Sequence, residues 1–304
     1  MSRILVTGGF GRSGRWIVDR RADVRADVLD VDALDLQYFR PGAILARPGQ
    51  RAILSDPLRD PKALSATLFN HELSLGDKWR LFRLQQELRG TDPETILRRD
   101  DETIAEALHR RGFSKGFVDA FAAPFFGGIT LDRSLTAARY TYEYALKMLT
   151  EGSASVPAAG MDAMPEQLAD AARTAGVSIE YNSPVQTVEA TENGATVETT
   201  CERLDVDGVV VATDPRTAGE LTGVETPTES RGCVTQYFSL PDTHHLPVGK
   251  RLLLNAESAR PNQVALLSEV APDYAPDRQQ LLGATFLGDQ AAPDADLAEA
   301  VRRT

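Results

Sequence analysis

The hydrophobic positions of this chain repeat with two different periods. Short apolar runs and alternating patterns predict β-strands at Arg3–Val6 and repeatedly over Val177–Thr213, with a turn at Glu192-Asn193-Gly194. Between Pro61 and Leu149 apolar residues recur at helical spacing, which predicts a mainly helical block. The strands and the helices therefore fall in separate stretches of the sequence.

Glycine and proline mark where these predicted elements begin and end. "GAILARPGQRAIL" predicts a β-hairpin with Pro48-Gly49 at its turn. Within the helical block we expect breaks at Gly76, Gly90, Gly112 and Pro124. "PFFGGITLDRSL", which is Pro124–Leu135, is the least helix-like part of that block.

The pattern changes after Gly152. "VPAAGMDAMPEQLADAARTAG" predicts a loop and then a helix, with Pro165 in its first turn and Gly176 at its C-terminal cap. Arg216–Leu221 is predicted to be helical, and a last helix is predicted from Asp294. Further strands are predicted at "CVTQYFSL", "RLLLN", "VALLSEV" and "LLGATFL".

Composition narrows the class of protein. A chain of 304 residues corresponds to about two domains. The net charge of −11 argues against a nucleic-acid partner, because phosphate contacts require clustered Lys and Arg. No apolar run is long enough to span a bilayer, and the start resembles no signal peptide.

Residue usage points to a cytoplasmic protein without a metal site. Cys201 and Cys233 are the two cysteines and have no metal-ligand spacing, and His244-His245 lacks a third ligand at regular spacing. The surface is predicted to be rich in Asp and poor in Lys, which is typical of adaptation to high salt, although a GC-rich genome that favours Arg codons would give the same bias.

A glycine-rich turn follows the first predicted strand. Gly9-x-Gly11-x-x-Gly14 satisfies the dinucleotide fingerprint, provided that Ser13–Arg20 is a helix whose N-terminus faces the pyrophosphate. Asp30 follows the turn by about 20 residues, the separation in sequence at which an acidic residue bonds a ribose hydroxyl in this motif. A turn of the same composition without a ligand is the alternative.

The same turn, Thr7-Gly8-x-x-Gly11-x-x-Gly14, resembles the start of NAD(P)-binding epimerases and short-chain dehydrogenases. That family requires a Tyr-x-x-x-Lys pair for proton transfer. The residues four positions before the five lysines are Leu58, Ser74, Arg111, Glu143 and Leu246, so the pair is absent. This resemblance therefore covers about the first 20 residues.

The rest of the chain, from about Asp27 to Thr304, resembles the flavin-containing amine oxidases and phytoene desaturases. The most specific stretches are "PFFGGITLDRSL", "KMLTEGSASVPAAGMDAMPEQLADAA", "GVSIEYNSPVQTVEA" and "VDGVVVATDP". The resemblance implies an α/β fold with a discontinuous, Rossmann-like FAD/NAD(P)-binding domain at 1–35 and 152–225. It implies a mixed helical and antiparallel-sheet substrate domain at 36–151 and 226–304.

The resemblance also implies a cofactor, a reaction and contacts. It implies FAD and the oxidation of a small amine or an apolar polyene by hydride transfer to the flavin, which often needs no side-chain base. Val185 would hold the adenine through its backbone, and Ala212 and Thr213 would let the cofactor pass close to the strand before them. Gly8, Gly9, Gly11 and Gly14 complete the candidate cofactor-binding residues. We also expect aromatic residues to line an apolar substrate cavity, namely Tyr140, Tyr142, Tyr144, Phe125 and Phe126.

The chain departs from this family at both ends. The family's N-terminal βαβ unit and the segment that follows it have no counterpart, and no glycine-rich segment closes the other end. By the family's order of elements Asp30 falls in a helix, which conflicts with a ribose contact. We therefore expect weak FAD binding and little turnover. The alternatives are an NAD(P)-binding protein of the epimerase class and a non-catalytic remnant or partner-binding module.

Overall fold

The computed structural model describes residues 3–7, 14–19, 29–55, 73–99, 102–243, 246, 248–257, 260–288, 299 and 301. Most of the glycine turn, His244-His245 and nearly all of the predicted C-terminal helix from Asp294 lie outside these residues. The chain divides into two compact units. Unit 1 comprises 1–34 and 161–230, and unit 2 comprises 35–160 and 231–304.

The first sheet of unit 1 contains four strands in the order β11-β1-β2-β7. These strands are β1 (Arg3–Thr7), β2 (Gly14–Asp19), β7 (Ser178–Tyr181) and β11 (Gly208–Val211). β1 is parallel to β11, whereas β2 is antiparallel to both of its neighbours, β1 and β7. The predicted strand at Arg3–Val6 is thus confirmed.

The second sheet of unit 1 is an antiparallel meander in the order β10-β9-β8. Its strands are β8 (Val185–Thr191), β9 (Gly194–Thr199) and β10 (Arg203–Val206). β10 is followed directly by β11, so the predicted meander leading into "GVVVAT" is confirmed. Its apolar face buries Ala195, Val197 and Val206.

Two helices of unit 1 begin and end close to their predicted bounds. They are α7 (Ala163–Thr174) and α8 (Pro215–Thr222). The chain leaves α7 through Gly176, whose φ of +89° lies in the left-handed region that glycine adopts without strain. Asp214 caps α8 by accepting a hydrogen bond from the backbone N–H of Thr217 at 3.1 Å.

Unit 2 is built on a six-stranded sheet in the order β12-β15-β14-β13-β4-β5. Its strands are β4 (Ala43–Arg47), β5 (Gln50–Leu54), β12 (Cys233–Pro241), β13 (Leu252–Asn255), β14 (Gln263–Leu266) and β15 (Gln279–Leu287), while β3 (Leu36–Tyr38) and β6 (Ser155–Pro157) form a separate pair. The hairpin with Pro48-Gly49 at its turn is confirmed. "VALLSEV" is a strand only as far as Leu266, after which α9 (Leu267–Val270) begins.

The helical block of unit 2 packs beside this sheet. Its helices are α1 (Leu75–Arg89), α2 (Pro93–Leu97), α3 (Ile104–Arg110), α4 (Lys115–Phe117), a π-helical turn (Val118–Ala122), α5 (Ala123–Thr130) and α6 (Arg139–Glu151). Two local predictions are wrong. Gly76 does not break a helix, because α1 is capped by Ser74 and Gly76 already lies in its first turn. Pro124–Thr130 is helical because a proline fits the first turn of a helix.

A buried carboxylate on α6 pairs with two arginines that follow the ends of α2 and α3. The Glu143 side chain on α6 is fully buried and lies 2.8 Å from a guanidinium nitrogen of Arg99 and 3.3 Å from one of Arg111. Glu87 on α1 pairs with Arg111 at 2.8 Å. Around this network lies an apolar core that includes Leu88, Ile96 and Ile104, all inaccessible to solvent.

Candidate functional site

The predicted helix after the glycine turn is wrong, because β2 occupies its place. Gly14, a candidate cofactor-binding residue, is the first residue of this strand, and Gly8, Gly9 and Gly11 lie outside the described residues. Trp16, Ile17 and Val18 are aromatic or β-branched, and such residues favour strands over helices. The dinucleotide fingerprint requires a helix N-terminus directly after its turn, so this requirement is not met.

Ala212 and Thr213 directly follow β11, where unit 1 has its parallel strand pair. Thr7, the last residue of β1, pairs with Val211, the last residue of β11. The two strands therefore end at the same edge of the sheet, which is where α/β sheets bind their ligands. Ala212 is exposed and Thr213 is half-buried. One step further, a hydrogen bond from Thr217 holds the pKa of Asp214 below its usual value, so the α8 cap is anionic.

Val185 begins β8, an edge strand of the meander. Among the strands that the structure describes, β8 pairs only with β9, so its other edge faces no described strand. A register shift between Val185 and Thr187 interrupts the pairing further. The nearby Ser183 hydroxyl is buried and has no hydrogen-bond partner in the described structure. This combination of an edge strand and an unsatisfied hydroxyl fits a polar ligand.

Asp30 lies at neither a strand end nor a helix. Its carboxylate accepts the backbone N–H of Ala33 at 3.0 Å, and its own backbone N–H and C=O exchange hydrogen bonds of 3.1 Å with the Gln167 side chain on α7. Asp30 therefore anchors a local turn to α7. The helical position that the family's order of elements implies for Asp30 is wrong, whereas its ribose contact stays a prediction.

Unit 2 contains an apolar cavity of about 610 Å³, within the range of about 300–1,000 Å³ that small-molecule sites occupy. Its walls come from the approach to β4, the end of β5, one face of α1, the π-helical turn with α5, and the end of α6 with the residues after it. The lining residues are Phe39–Ala43, Leu54, Ser55, Leu75, Lys78, Trp79, Leu81, Phe82, Gln85, Phe121, Phe125, Leu146, Leu149, Gly152–Ala154 and Leu252.

Helix α1 contributes aliphatic, aromatic, cationic and amide side chains to the wall of this cavity. Leu75, Lys78, Trp79, Phe82 and Gln85 recur at spacings of three and four and so lie on one face of the helix. Leu75 and Trp79 are 71% and 60% exposed, which puts them at the mouth of the cavity. Burial lowers the pKa of Lys78 below that of a free lysine.

Of the aromatic residues expected to line a cavity, Phe125 does so. Phe126 and Tyr142 are buried in the core and stack edge to face at 5.4 Å, while Tyr140 and Tyr144 are exposed. The prediction missed the α1 face. Its signal in the sequence is a helix with apolar residues on two sides, since Leu84 and Leu88 face the core while Leu75, Trp79 and Phe82 face the cavity.

The comparisons with known proteins agree with this architecture. A family model for flavin containing amine oxidoreductases matches residues 29–304, so the chain belongs to that family. Membership implies FAD as the cofactor. No curated protein sequence matches the chain. Among the described residues no helix is long and apolar enough to cross a membrane.

Several solved structures share the fold. An oxidoreductase from Methanosarcina mazei is 14% identical with a TM-score of 0.58, and the match covers 99% of this chain and 62% of that one. A putative protoporphyrinogen oxidase from Exiguobacterium sp. is 14% identical with a TM-score of 0.59, and the match covers 97% of this chain and 72% of that one. Putrescine oxidase bound to putrescine is 12% identical with a TM-score of 0.55, and the match covers 91% of this chain and 67% of that one.

These similarities confirm the α/β fold class with its Rossmann-like portion. The chain spans 62% of the length of the Methanosarcina mazei protein. Within unit 1, the ends of β1 and β11 and the edge of β8 fit a dinucleotide, whereas β2 does not supply the helix start that a pyrophosphate would use.

Proposed function

We propose that this chain provides the substrate pocket and part of the flavin site of an FAD-dependent oxidoreductase. The observation that carries the proposal is the apolar cavity of unit 2 in a chain of the flavin containing family. Unit 1 would bind FAD, and unit 2 would bind the substrate. The substrate would be a small apolar molecule, either an amine or a polyene.

In this proposal the cofactor contacts come from three places in unit 1. Val185, at the start of the edge strand β8, would contact the adenine through its backbone. Ala212 and Thr213 offer a small and a half-buried side chain at the end of β11. The glycine turn, with Gly8, Gly9, Gly11 and Gly14, contributes backbone N–H groups to the phosphates without support from a helix N-terminus.

The residues of unit 2 would bind the substrate and keep water away from it. Phe121, Phe125 and Leu252 make the inner part of the cavity apolar, which favours a hydrocarbon body over water. Bound FAD would supply the oxidising power by accepting a hydride from the substrate. Because that chemistry needs no side-chain base, the contribution of the chain is to bind and orient.

Titration of the purified protein with FAD tests the proposal. We expect saturable binding, seen as a change in flavin fluorescence, and a rise in melting temperature, while NADH and NADPH produce neither effect. Because β2 stands where a helix N-terminus would meet the pyrophosphate, about one charged hydrogen bond to the phosphates is missing. We therefore expect FAD to bind about 10–100-fold more weakly than it would to a site that makes this hydrogen bond. Absence of any FAD binding would refute the cofactor assignment.

A matched pair of variants locates the site. Ala212→Leu should weaken FAD binding because the larger side chain stands where the cofactor passes. Ala190→Leu is the control, because Ala190 is also an exposed alanine of unit 1 and lies near the other end of β8 from Val185. Equal effects of the two substitutions would contradict the placement at the end of β11.

A non-catalytic role is the second candidate, and the strand β2 is the observation that favours it. With β2 in place of a helix, unit 1 would be a partner-binding module that retains the fold. The same titration separates the candidates, because such a module neither binds FAD nor gains thermal stability from it. Binding of NAD(P) instead of FAD would favour the epimerase-like reading of the glycine turn.

A further inference from the structure

Two walls of the unit 2 cavity carry stacked aromatic pairs. Five of its described lining residues are Phe or Trp, whereas aromatic residues make up 7% of the chain. On α1, Trp79 and Phe82 form the outer pair, with ring centroids 5.7 Å apart and planes inclined by 24°. On the π-helical turn and α5, Phe121 and Phe125 form the inner pair, at 5.3 Å and 11°. Ring faces and edges are therefore concentrated at this cavity.

The inner pair belongs to a longer aromatic column that runs from the core to the cavity. Neighbouring rings of this column lie 4.3, 5.4 and 5.3 Å apart, and its members are Phe113, Phe117, Phe121 and Phe125. The first two are buried in the core, whereas the inner pair also lines the cavity. The column crosses the π-helical turn Val118–Ala122, and such turns are frequent at functional sites. The rings of the inner pair are thus held in place from behind by other rings.

Aromatic pairs favour aromatic partners for an electrostatic reason. The face of such a ring is electronegative and its edge electropositive, so an offset stack or an edge-to-face contact adds about 2–10-fold in affinity beyond the area that it buries. A saturated ring of the same skeleton buries comparable apolar area but has no such charge distribution. The leucines that line other parts of the cavity accept both kinds of ligand, because the burial of apolar surface has no preferred direction. Any preference between the two therefore comes from the ring pairs.

We propose that this cavity binds a flat aromatic ring system in preference to a saturated one of the same skeleton, by stacking against the inner and outer pairs. This inference narrows the substrate class and rests on the proposed function in taking the cavity as the substrate site. Phe121 is 7% exposed, whereas Trp79 is 60% exposed at the mouth. We expect the inner pair to contribute more, because a ligand ring there is removed from water more completely.

Binding of N-phenyl-1-naphthylamine, followed by its fluorescence without added FAD, tests the inference. The bound probe is displaced with 2-naphthol and with decahydro-2-naphthol, which share one carbon skeleton and one hydroxyl group and differ in aromaticity. We expect 2-naphthol to displace the probe at about 10-fold lower concentration. Equal competition by the two alcohols, stronger competition by the saturated one, or no saturable probe binding would each overturn the inference.

Variants that keep an apolar side chain but remove its ring identify the groups responsible. Phe125→Leu should reduce the preference for 2-naphthol about 2–10-fold and leave the binding of decahydro-2-naphthol unchanged, whereas Phe125→Tyr should retain the preference. Trp79→Leu should reduce it about 2-fold, and since Trp79 is 60% exposed this substitution leaves the core intact. An unchanged preference in the leucine variants that fold would refute the role of the ring pairs, and Trp79→Leu alone decides if Phe125→Leu does not fold.

Phe238→Leu is the matched control. Phe238 on β12 is half-buried like Phe125, but it packs against the apolar cluster that contains Leu253 and Leu282 and does not line the cavity. This substitution should leave the ratio between the two alcohols unchanged, whatever it does to the melting temperature. Equal losses of preference in Phe238→Leu and Phe125→Leu would show that the ring effect does not arise in the cavity.

The readout needs neither FAD nor turnover. Failure of the FAD titration with a retained preference for the aromatic alcohol would therefore refute the proposed function while leaving the ligand class in place. FAD binding without any such preference would refute the ligand class alone.

Discussion

Among the side chains that the structure describes, those of unit 2 form larger buried apolar clusters than those of unit 1. In unit 2, helices α1 to α6 contribute to one continuous core, and a second core covers the other side of β4 and β13. In unit 1, as far as its side chains are described, the buried apolar cluster is Ala195, Val197 and Val206. Helix α8 has no buried residue, and Val210 on β11 is 50% exposed.

This difference has a functional consequence. A unit with a large core folds on its own apolar contacts and can enclose a cavity for an apolar ligand. A unit whose strand ends and edge strand are open gains stability from whatever binds there, because a ligand that binds only the folded state stabilises it. We therefore expect mutations to act strongly on unit 2, and ligands to act strongly on unit 1.

The buried carboxylate of unit 2 should give the largest effect. Glu143→Gln leaves Arg99 and Arg111 without their fully buried partner, and we expect a loss of about 3 kcal/mol in the free energy of unfolding of unit 2. Glu94→Gln is the control, because its pair with Arg98 is exposed and should contribute under about 1 kcal/mol. Urea unfolding measures both, and equal losses would contradict the cooperative core.

The glycine pair of α5 should give the next effect. A Cβ at position 127 would lie 2.9 Å from the Arg133 Cα and 3.0 Å from the Asp132 carbonyl oxygen, both of which are backbone atoms. We expect Gly127→Ala to cost about 2–3 kcal/mol, since backbone cannot move aside easily. At Gly128 the added methyl meets first the end of the Gln263 side chain, which is flexible, rather than backbone.

Gly128→Ala therefore serves as the comparison and should cost less than Gly127→Ala. Thermal unfolding followed by circular dichroism measures both. A larger loss for Gly128→Ala would show that the side-chain contacts around Asn262 are stiffer than this packing argument assumes. Asn262 donates to the carbonyl oxygen of Pro124 at 2.9 Å and accepts from Arg133 at 3.1 Å, so it is the residue to inspect first.

Acidification should affect unit 2 through Asp77. Burial alone would raise the pKa of this carboxyl, but hydrogen bonds from Ser114 and Ser74 outweigh it and hold the pKa below its usual value. A group whose folded pKa is depressed stabilises the fold above its unfolded pKa, about 3.9, and this contribution disappears as pH falls through the folded value.

We expect Asp77→Asn to cost about 2 kcal/mol at pH 7, because charged hydrogen bonds to the Ser114 backbone N–H and hydroxyl are lost. The difference from the unsubstituted protein should narrow below about pH 4. Unfolding in urea at several pH values measures it, with Asp170→Asn as an exposed control. A difference that stays constant with pH would exclude the charge of Asp77 as the cause.

Much of the fold could be predicted from local sequence patterns. The hairpin at Pro48-Gly49 and the meander over Val177–Thr213 are confirmed because alternating apolar residues and turn glycines act over a few residues. The helix at Pro124–Thr130 was missed because Pro124 was expected to break the helical block, whereas it lies in the first turn of α5. Within this helix, Gly127 lets α5 approach the backbone of Asp132 and Arg133.

The candidate site was harder to predict because it depends on long-range pairing. A glycine-rich turn does not by itself determine whether a helix or a strand follows it. Here Trp16–Val18 pair with β1 on one side, while Trp16 and Ile17 also pair with β7 on the other. The cavity was missed for a related reason. Which of the two apolar sides of α1 faces a cavity depends on what packs around it, and that information is not local to the helix.

The smallest expected effect belongs to unit 1 and tests the comparison from the other side. Asp214→Ala removes the hydrogen bonds to the Thr217 backbone and hydroxyl that cap α8, and we expect a loss of about 1 kcal/mol. Asp162→Ala is the control, because Asp162 precedes α7 but its side chain makes no capping hydrogen bond. Because α8 buries no residue, the loss should appear as faster amide hydrogen exchange within α8, with exchange in α1 and α6 of unit 2 unchanged. Faster exchange throughout unit 2 would contradict the view that the two units are stabilised separately.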